Sequence, residues 1–132
     1  MPFVIDASIA AYWAFDDEDH PVARRALERI RSDWARVPAL WWFEVRNTLL
    51  VNRKRIAERE VTDFLRQLPV LEIRIDTAPH ENDLLALARK HRLSVYDAVY
   101  LELARREGVP LASFDGKLAD AAPAERVSLL GS

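Results

Sequence analysis

Two short apolar runs, Phe3-Val4-Ile5 and Val109–Phe114, each lead straight into an aspartate, Asp6 and Asp115. Runs this short and this apolar read as buried strands. The stretch between them alternates strand-like and helix-like segments. Arg36–Pro38 reads as a short strand, Val70–Ile75 alternates apolar and polar residues as an edge strand does, and Val127–Leu130 reads as a last strand. Helical spacing fills the intervals. Ser8 is placed to cap a helix through Phe15, broken by the acidic run Asp16-Asp17-Glu18-Asp19. Pro21 sits in the first turn of the next helix, with Ala23, Ala26, Leu27 and Ile30 on one stripe and Arg24, Arg25 and Arg29 off it. From Leu40 to about Arg53, bulky apolar residues on several faces predict a largely buried helix. Val61, Phe64, Leu65 and Leu68 mark another, stopped by Pro69. Thr77 to His91 is helical with Leu84, Leu87 and Ala88 inward, and Ser94 opens a helix that runs to Glu107 and ends at Gly108. Asp115-Gly116 turns the chain before a short helix over Lys117–Ala122.

Strands alternating with helices predict an α/β layered domain with a mainly parallel sheet. The 132 residues suit a single domain spanning 1–132 and leave no room for a second core. With 50% hydrophobic residues, 30% charged and only 3 Gly, the chain is neither disordered nor low in complexity. The absence of Cys excludes a disulfide framework, a thiolate zinc site, an iron–sulfur cluster and a Cys nucleophile. The opening residues have no basic segment before their apolar run, so no signal peptide is expected in them. The richest apolar stretches, Ile9–Phe15 and Ala39–Phe43, are too short to cross a bilayer. The expectation is a soluble, cytoplasmic protein with no membrane partner. Asp19–Glu60 carries ten Lys and Arg against six Asp and Glu, so this stretch is +4 and the remainder −6 within a net charge of −2. That balance excludes a generic nucleic-acid coat and concentrates acid elsewhere.

Four acids occupy informative positions. Asp6 and Asp115 end strands, Asp97 lies in the first turn of the Ser94 helix, and Glu44 lies one turn into the Leu40 helix among Trp41, Trp42, Phe43 and Val45. In a parallel α/β sheet the ligand crevice lies beyond the carboxyl ends of the strands, the edge toward which these positions point. Each acid also has a structural explanation. Asp6 stabilises a helix N-terminus by its charge, Asp115-Gly116 is a turn pair, and Ser94 with Asp97 resembles a capping box. Glu44 is harder to explain so, because a carboxylate on an apolar helix is costly without a cation or donor network. Clustered carboxylates repel one another, and a divalent cation relieves the conflict. With only oxygen ligands on offer, Mg²⁺ or Mn²⁺ is favoured over Zn²⁺.

The segments Val4-Ile5-Asp6-Ala7-Ser8, Glu44-Val45-Arg46-Asn47, Ser94-Val95-Tyr96-Asp97-Ala98-Val99-Tyr100 and Leu111-Ala112-Ser113-Phe114-Asp115 stand in this order along nearly the whole chain. In these motifs the sequence resembles the PIN-domain nucleases, specifically the VapC-like ribonuclease toxins of type II toxin–antitoxin pairs. Ser113 departs slightly from that pattern, which more often has Thr. The resemblance implies a three-layer α/β/α sandwich and an acidic catalytic quartet, Asp6, Glu44, Asp97 and Asp115, that holds one or two Mg²⁺ or Mn²⁺ ions. It implies that Ser8, Asn47 and Ser113 orient carboxylates, waters or a phosphate. It also implies an RNA substrate, metal-assisted hydrolysis of its phosphodiester bonds, a VapB-like antitoxin partner and a homodimer.

His20, His80 and His91 lack metal-ligand spacing and are expected at the surface or partly buried. Ser8 and Ser113 have no Gly-rich elbow, and no phosphate-cradling Gly-rich loop exists. Arg24, Arg25, Arg29, Arg31, Arg53, Lys54 and Arg55 read as a solvated surface, some of it open to an RNA backbone. Trp13, Trp34, Trp41 and Trp42 read as core or interface residues, and leave room for an apolar groove across the early helices that receives an antitoxin segment. The competing class is a receiver-like, Mg²⁺-binding phosphoacceptor module using Asp6, Asp115 and Lys117. Against it, Asp6 is followed by Ala7-Ser8 and not by a second acid.

Overall fold

Phe3, Val4 and Ile5 are all fully buried. A strand apolar on both faces needs a layer on each side, which parallel sheets obtain from their crossover helices. The computed structural model describes residues 1–15, 19–52 and 54–131, and builds that layering. Its strands are β1 (Phe3–Ile5), β2 (Ala35–Pro38), β3 (Ile73–Asp76) and β4 (Leu111–Ala112). They pair in the order β3-β2-β1-β4, every pair among the described residues being parallel.

The chain steps outward from β1 to β3 and then returns across the sheet to β4. Right-handed crossovers therefore place α1 (Ala7–Tyr12), α2 (Pro21–Ile30), α3 (Leu40–Val51) and α4 (Glu58–Gln67) on one face. They place α5 (Glu81–His91) and α6 (Val95–Glu107) on the other, while α7 (Gly116–Ala124) follows β4. The contacts agree: α1 packs on α2 and α3, and α6 packs on α5 and across β1, β2 and β4. The architecture is the expected α/β/α sandwich.

Helix α6 is the central helix, with every residue from Ala98 to Ala104 buried. Its ends are well specified. Ser94 Oγ accepts the Asp97 amide at 3.0 Å, and Gly108 closes the helix at φ 66°, where a side chain is strained. Pro21 does open α2, and His20 caps it, Nδ1 accepting the Val22 amide at 3.3 Å.

Several elements differ from the sequence expectation. Asp6, not Ser8, stands at the N-cap position of α1, and the helix stops at Tyr12. Asp16–Glu18 of the acidic run and Arg53 of the basic stretch lie outside the described residues. Helix α3 is not largely buried: Trp41, Val45 and Leu49 face the core, but Trp42, Phe43, Leu50 and Val51 are 45%, 69%, 62% and 65% exposed. Apolar residues on several faces here mark a second, outward surface. The edge position of the third strand holds, but it covers 73–76 because Pro69 sits in a 3-10 turn, Leu68–Val70. Helix α5 begins at Glu81 after Pro79, four residues later than expected. Strand β4 shrinks to Leu111–Ala112, and Val127–Leu130 forms no strand, only a bridge from Leu129 to Leu111. Asp115-Gly116 is no free turn, because Asp115 caps α7.

Candidate active site

In an open parallel sheet the ligand crevice forms beyond the strands' carboxyl ends, where the strand order reverses. Here the reversal falls between β1, from which the chain moves toward β3, and β4, to which it returns. Asp6 leaves β1 at that point, and Ser113-Phe114-Asp115 leave β4 beside it. The two exits are tied together, since the Asp6 amide donates to the Ala112 carbonyl at 2.9 Å.

Side chains reinforce the junction. Ser113 Oγ donates to Asp6 Oδ2 at 2.8 Å and accepts the Asp115 amide at 3.0 Å. Asp115 Oδ1 accepts the amides of Lys117 at 2.8 Å and Leu118 at 3.2 Å, so one carboxylate anchors the loop to α7. Phe114 packs against Tyr12 and His20, with ring centroids 4.7 and 4.1 Å away, which holds the loop from its other side. Glu44 enters from α3 and accepts a hydrogen bond from the Tyr100 hydroxyl at 2.5 Å.

The electrostatics place the acids in one neighbourhood. Burial pushes the Asp6 carboxyl above its ordinary 3.8; the charges of Asp97 and Asp115 add to this, and the Ser113 hydroxyl and Ser8 amide oppose it. Glu44 is raised above 4.5, first by burial and then by Asp6 and Asp97, with the Tyr100 hydroxyl opposing. Asp97 is raised by burial and by Asp115, against Ser94 and Lys117. The Tyr100 phenol is itself raised far above 10.0 by burial and by Glu44, so it stays a donor. Among the described residues no ion pair reaches Asp6, Glu44, Asp97 or Asp115.

Four carboxylates from four segments thus act on one another with little cationic relief. Among the described residues no three acidic or histidine side chains are already drawn to metal-holding spacing. Three of the four are held by donors of the protein: Asp6 by Ser113, Glu44 by Tyr100 and Asp115 by the α7 amides. The donor set still suits a hard cation, because every group is an anionic oxygen. One orphan supports the same view. The Ser8 hydroxyl, two residues after Asp6, is buried without a hydrogen-bond partner, a costly state for a polar group.

Of the residues singled out from sequence, Asp6, Glu44, Asp97, Asp115 and Ser113 gather at this junction. Ser8 lies in the first turn of α1 beside it. Asn47 is exposed on α3 and makes no hydrogen bond to them among the described residues. Sequence reasoning missed Tyr100. Its signal was present, three residues after Asp97 in the third motif and so on the same helical face.

A family model of the PIN domain matches residues 3–123. The chain belongs to the PIN-domain family. Ribonuclease VapC3 of Pyrobaculum aerophilum is 32% identical over 130 residues, covering 94% of this chain and 97% of that protein. Among solved structures, VapBC2 from Rickettsia felis, bound to a DNA fragment from their promoter, aligns with a TM-score of 0.68 at 17% identity, over 98% of this chain and 97% of that one. A toxin–antitoxin complex from Klebsiella pneumoniae aligns with a TM-score of 0.57 at 19% identity, over 85% of each chain. At such identities these two likenesses concern the fold. This PIN domain is thus similar over most of its length to a protein named for ribonuclease activity, and Asp6 and Asp115 stand where β1 and β4 end at the switch point of its sheet.

Proposed function

We propose that this PIN domain is a divalent-metal-dependent ribonuclease, the toxin of a toxin–antitoxin pair, that hydrolyses RNA phosphodiester bonds at Asp6, Glu44, Asp97 and Asp115. The observation that supports this reading is the convergence on the β1/β4 switch point of Asp6, Glu44 and Asp97, each raised by burial and by neighbouring acids, with Asp115 beside them, in a chain similar over most of its length to a ribonuclease. Asp6 and Asp97 would hold the Mg²⁺ or Mn²⁺ directly, with Glu44 and Asp115 completing the oxygen set. Such an ion, when bound, supplies a Lewis acid for the phosphate and lowers the pKa of a water.

The chain's own residues do the rest. Ser113 fixes the Asp6 carboxylate in one orientation, which limits the entropy lost when Asp6 is used as a ligand. The Ser8 hydroxyl is an unspent donor for a phosphate or water oxygen. The Asp115 cap keeps the loop after β4 rigid. Left unneutralised, the four carboxylates repel RNA phosphate, which confines cleavage to the cation-loaded protein.

A VapB-like antitoxin and a homodimer belong to the same reading. The exposed apolar side of α3 supports a protein partner, since Trp42, Phe43, Leu50 and Val51 are contiguous in sequence blocks and solvated. A groove of about 320 Å³ between the early helices and α4, lined by Trp13, Leu27, Phe64 and Leu71, suits an apolar peptide segment. No helix among the described residues is long and apolar enough to cross a membrane. The PIN-domain match leaves the receiver-like alternative without support.

The test is cleavage of single-stranded RNA by purified protein. Cutting is expected with Mg²⁺ or Mn²⁺, and is expected to stop on chelation and in Asp97→Asn. Cutting that survives both, or labelling by a small phosphodonor without cutting, would contradict the reading.

A further inference from the structure

The buried stretch of α6, Ala98 to Ala104, contains two polar side chains, Tyr100 and Glu102. Glu102 is held by Arg106 and by the His80 amide, away from the acidic site. Tyr100 is 1% exposed and its hydroxyl is spent on Glu44, a residue 56 positions away on the opposite layer. A phenylalanine would fill the same core space without a hydroxyl to satisfy. The hydroxyl therefore needs an explanation beyond packing, because burying it is costly unless it is bonded.

Its placement supplies one. Tyr100 follows Asp97 by three residues, so α6 presents the two on the same face. The backbone amide of Ala7, next to Asp6, also acts on the phenol oxygen. The phenol thus stands between three segments that each carry a site carboxylate: the start of α1 with Asp6, α6 with Asp97, and α3 with Glu44. Glu44 has no ion pair among the described residues, and Tyr100 occupies only one of its two oxygens. Among the described residues no hydrogen bond is made to the other oxygen.

We propose that Tyr100 is a positioning residue of the active site: its hydroxyl holds the Glu44 carboxylate, through Oε1, beside the segments that carry Asp6 and Asp97, and leaves Oε2 available to a cation shared with them. This deepens the metal-nuclease reading and rests on it. A charge-assisted hydrogen bond from a fully packed phenol is a rigid restraint, since the ring cannot swing without opening the core. Glu44 sits on a helix with a largely exposed apolar side, so without that bond its side chain is free to turn outward.

The experiment is Mn²⁺ titration by isothermal calorimetry on the wild type, Tyr100→Phe, Glu44→Gln, the double variant and Asp97→Asn, with metal-free thermal melts of each. Tyr100→Phe is expected to weaken Mn²⁺ binding by roughly 10-fold, the scale on which outer partners of metal ligands act. Its metal-free melting temperature is expected to fall by only a few degrees. In the Glu44→Gln background the same change is expected to weaken binding no further, because its effect runs through Glu44. Unchanged or tighter binding in Tyr100→Phe overturns the proposal, as does an additive loss in the double variant. A Tyr100→Phe protein that does not fold also overturns it, since the hydroxyl would then serve the core. If the wild type binds Mn²⁺ no better than Asp97→Asn, the metal reading itself fails and takes the positioning role with it. If Asp97→Asn loses binding while Tyr100→Phe keeps it, only the positioning role falls.

Discussion

Helix α6 delivers carboxylates to two places. At its first turn the charge of Asp97 acts on Asp6 and Glu44, and Asp97 itself is raised by Asp115 and eased by Lys117, while among the described residues no ion pair reaches these acids. Farther along, Glu102 meets Arg106, which also grips Asp76 with two bonds of 3.1 and 2.8 Å, while Arg36 bridges Asp76 and Glu107. Asp76 and Glu102 are as deeply placed as any acid at the first cluster, being 8% and 2% exposed. Their environments differ in sign. Arg106 holds the Asp76 carboxyl below its ordinary 3.8, whereas burial and like charge push Asp6, Glu44 and Asp97 up. A domain that pairs one buried acid cluster with arginine and leaves another unpaired spends stability at the second, and such unrelieved acids mark functional sites.

Single substitutions at the two clusters should therefore move activity and stability in opposite patterns. Asp97→Asn should reduce RNA cleavage by about 100-fold or more, since a neutral amide is a poor ligand for a hard cation. Its metal-free unfolding free energy should stay level or rise, because a repelling charge is gone at constant volume; a gel assay beside urea unfolding checks both. Arg106→Met should do the reverse, costing roughly 3 kcal/mol in urea unfolding by leaving Asp76 and Glu102 short of their main cation, with cleavage per folded molecule retained. Ser113→Ala should fall between, with cleavage down roughly 10-fold and stability down by about 1 kcal/mol, as Asp6 and the Asp115 amide both lose a partner.

The smallest effect concerns pH with divalent metal chelated. Asp6, Glu44 and Asp97 bind protons more tightly folded than unfolded, so they oppose folding at neutral pH. That opposition lifts as pH falls through their raised values toward the ordinary 3.8 and 4.5. Asp76 contributes the opposite way: its stabilisation is full above 3.8 and is lost as pH falls through its lowered value. The melting temperature should rise modestly on mild acidification from pH 7 and then fall below about pH 4. Asp6→Asn should flatten the rise and leave the fall.

The two clusters were not equally legible. Asp6 and Asp115 stand at the ends of apolar runs, and Asp97 follows a Ser cap, so local pattern and family motif both pointed to them. The pairing of Arg106 with Asp76 spans 30 residues and joins a helix to an edge strand, which no local pattern encodes. Tyr100 lay inside the third motif but carried no role there, because its partner is on another layer. Helix α3 misled for a related reason. Apolar residues on every face look like burial from sequence, while the structure leaves Trp42 and Phe43 to solvent. The first strand was legible with its bounds, Phe3–Ile5, whereas β4 keeps its pairing only over Leu111–Ala112 and Val127–Leu130 contributes only a bridge.

The most direct test of the central claim is the melting temperature of wild type and Asp97→Asn as Mn²⁺ is added to chelator-treated protein. Ligands that bind only the folded state stabilise it by mass action. A rise of several degrees is expected in the wild type, saturating with Mn²⁺, and little or none in Asp97→Asn, which starts from an equal or higher melting temperature. An equal rise in both proteins, or none in the wild type, would contradict the claim.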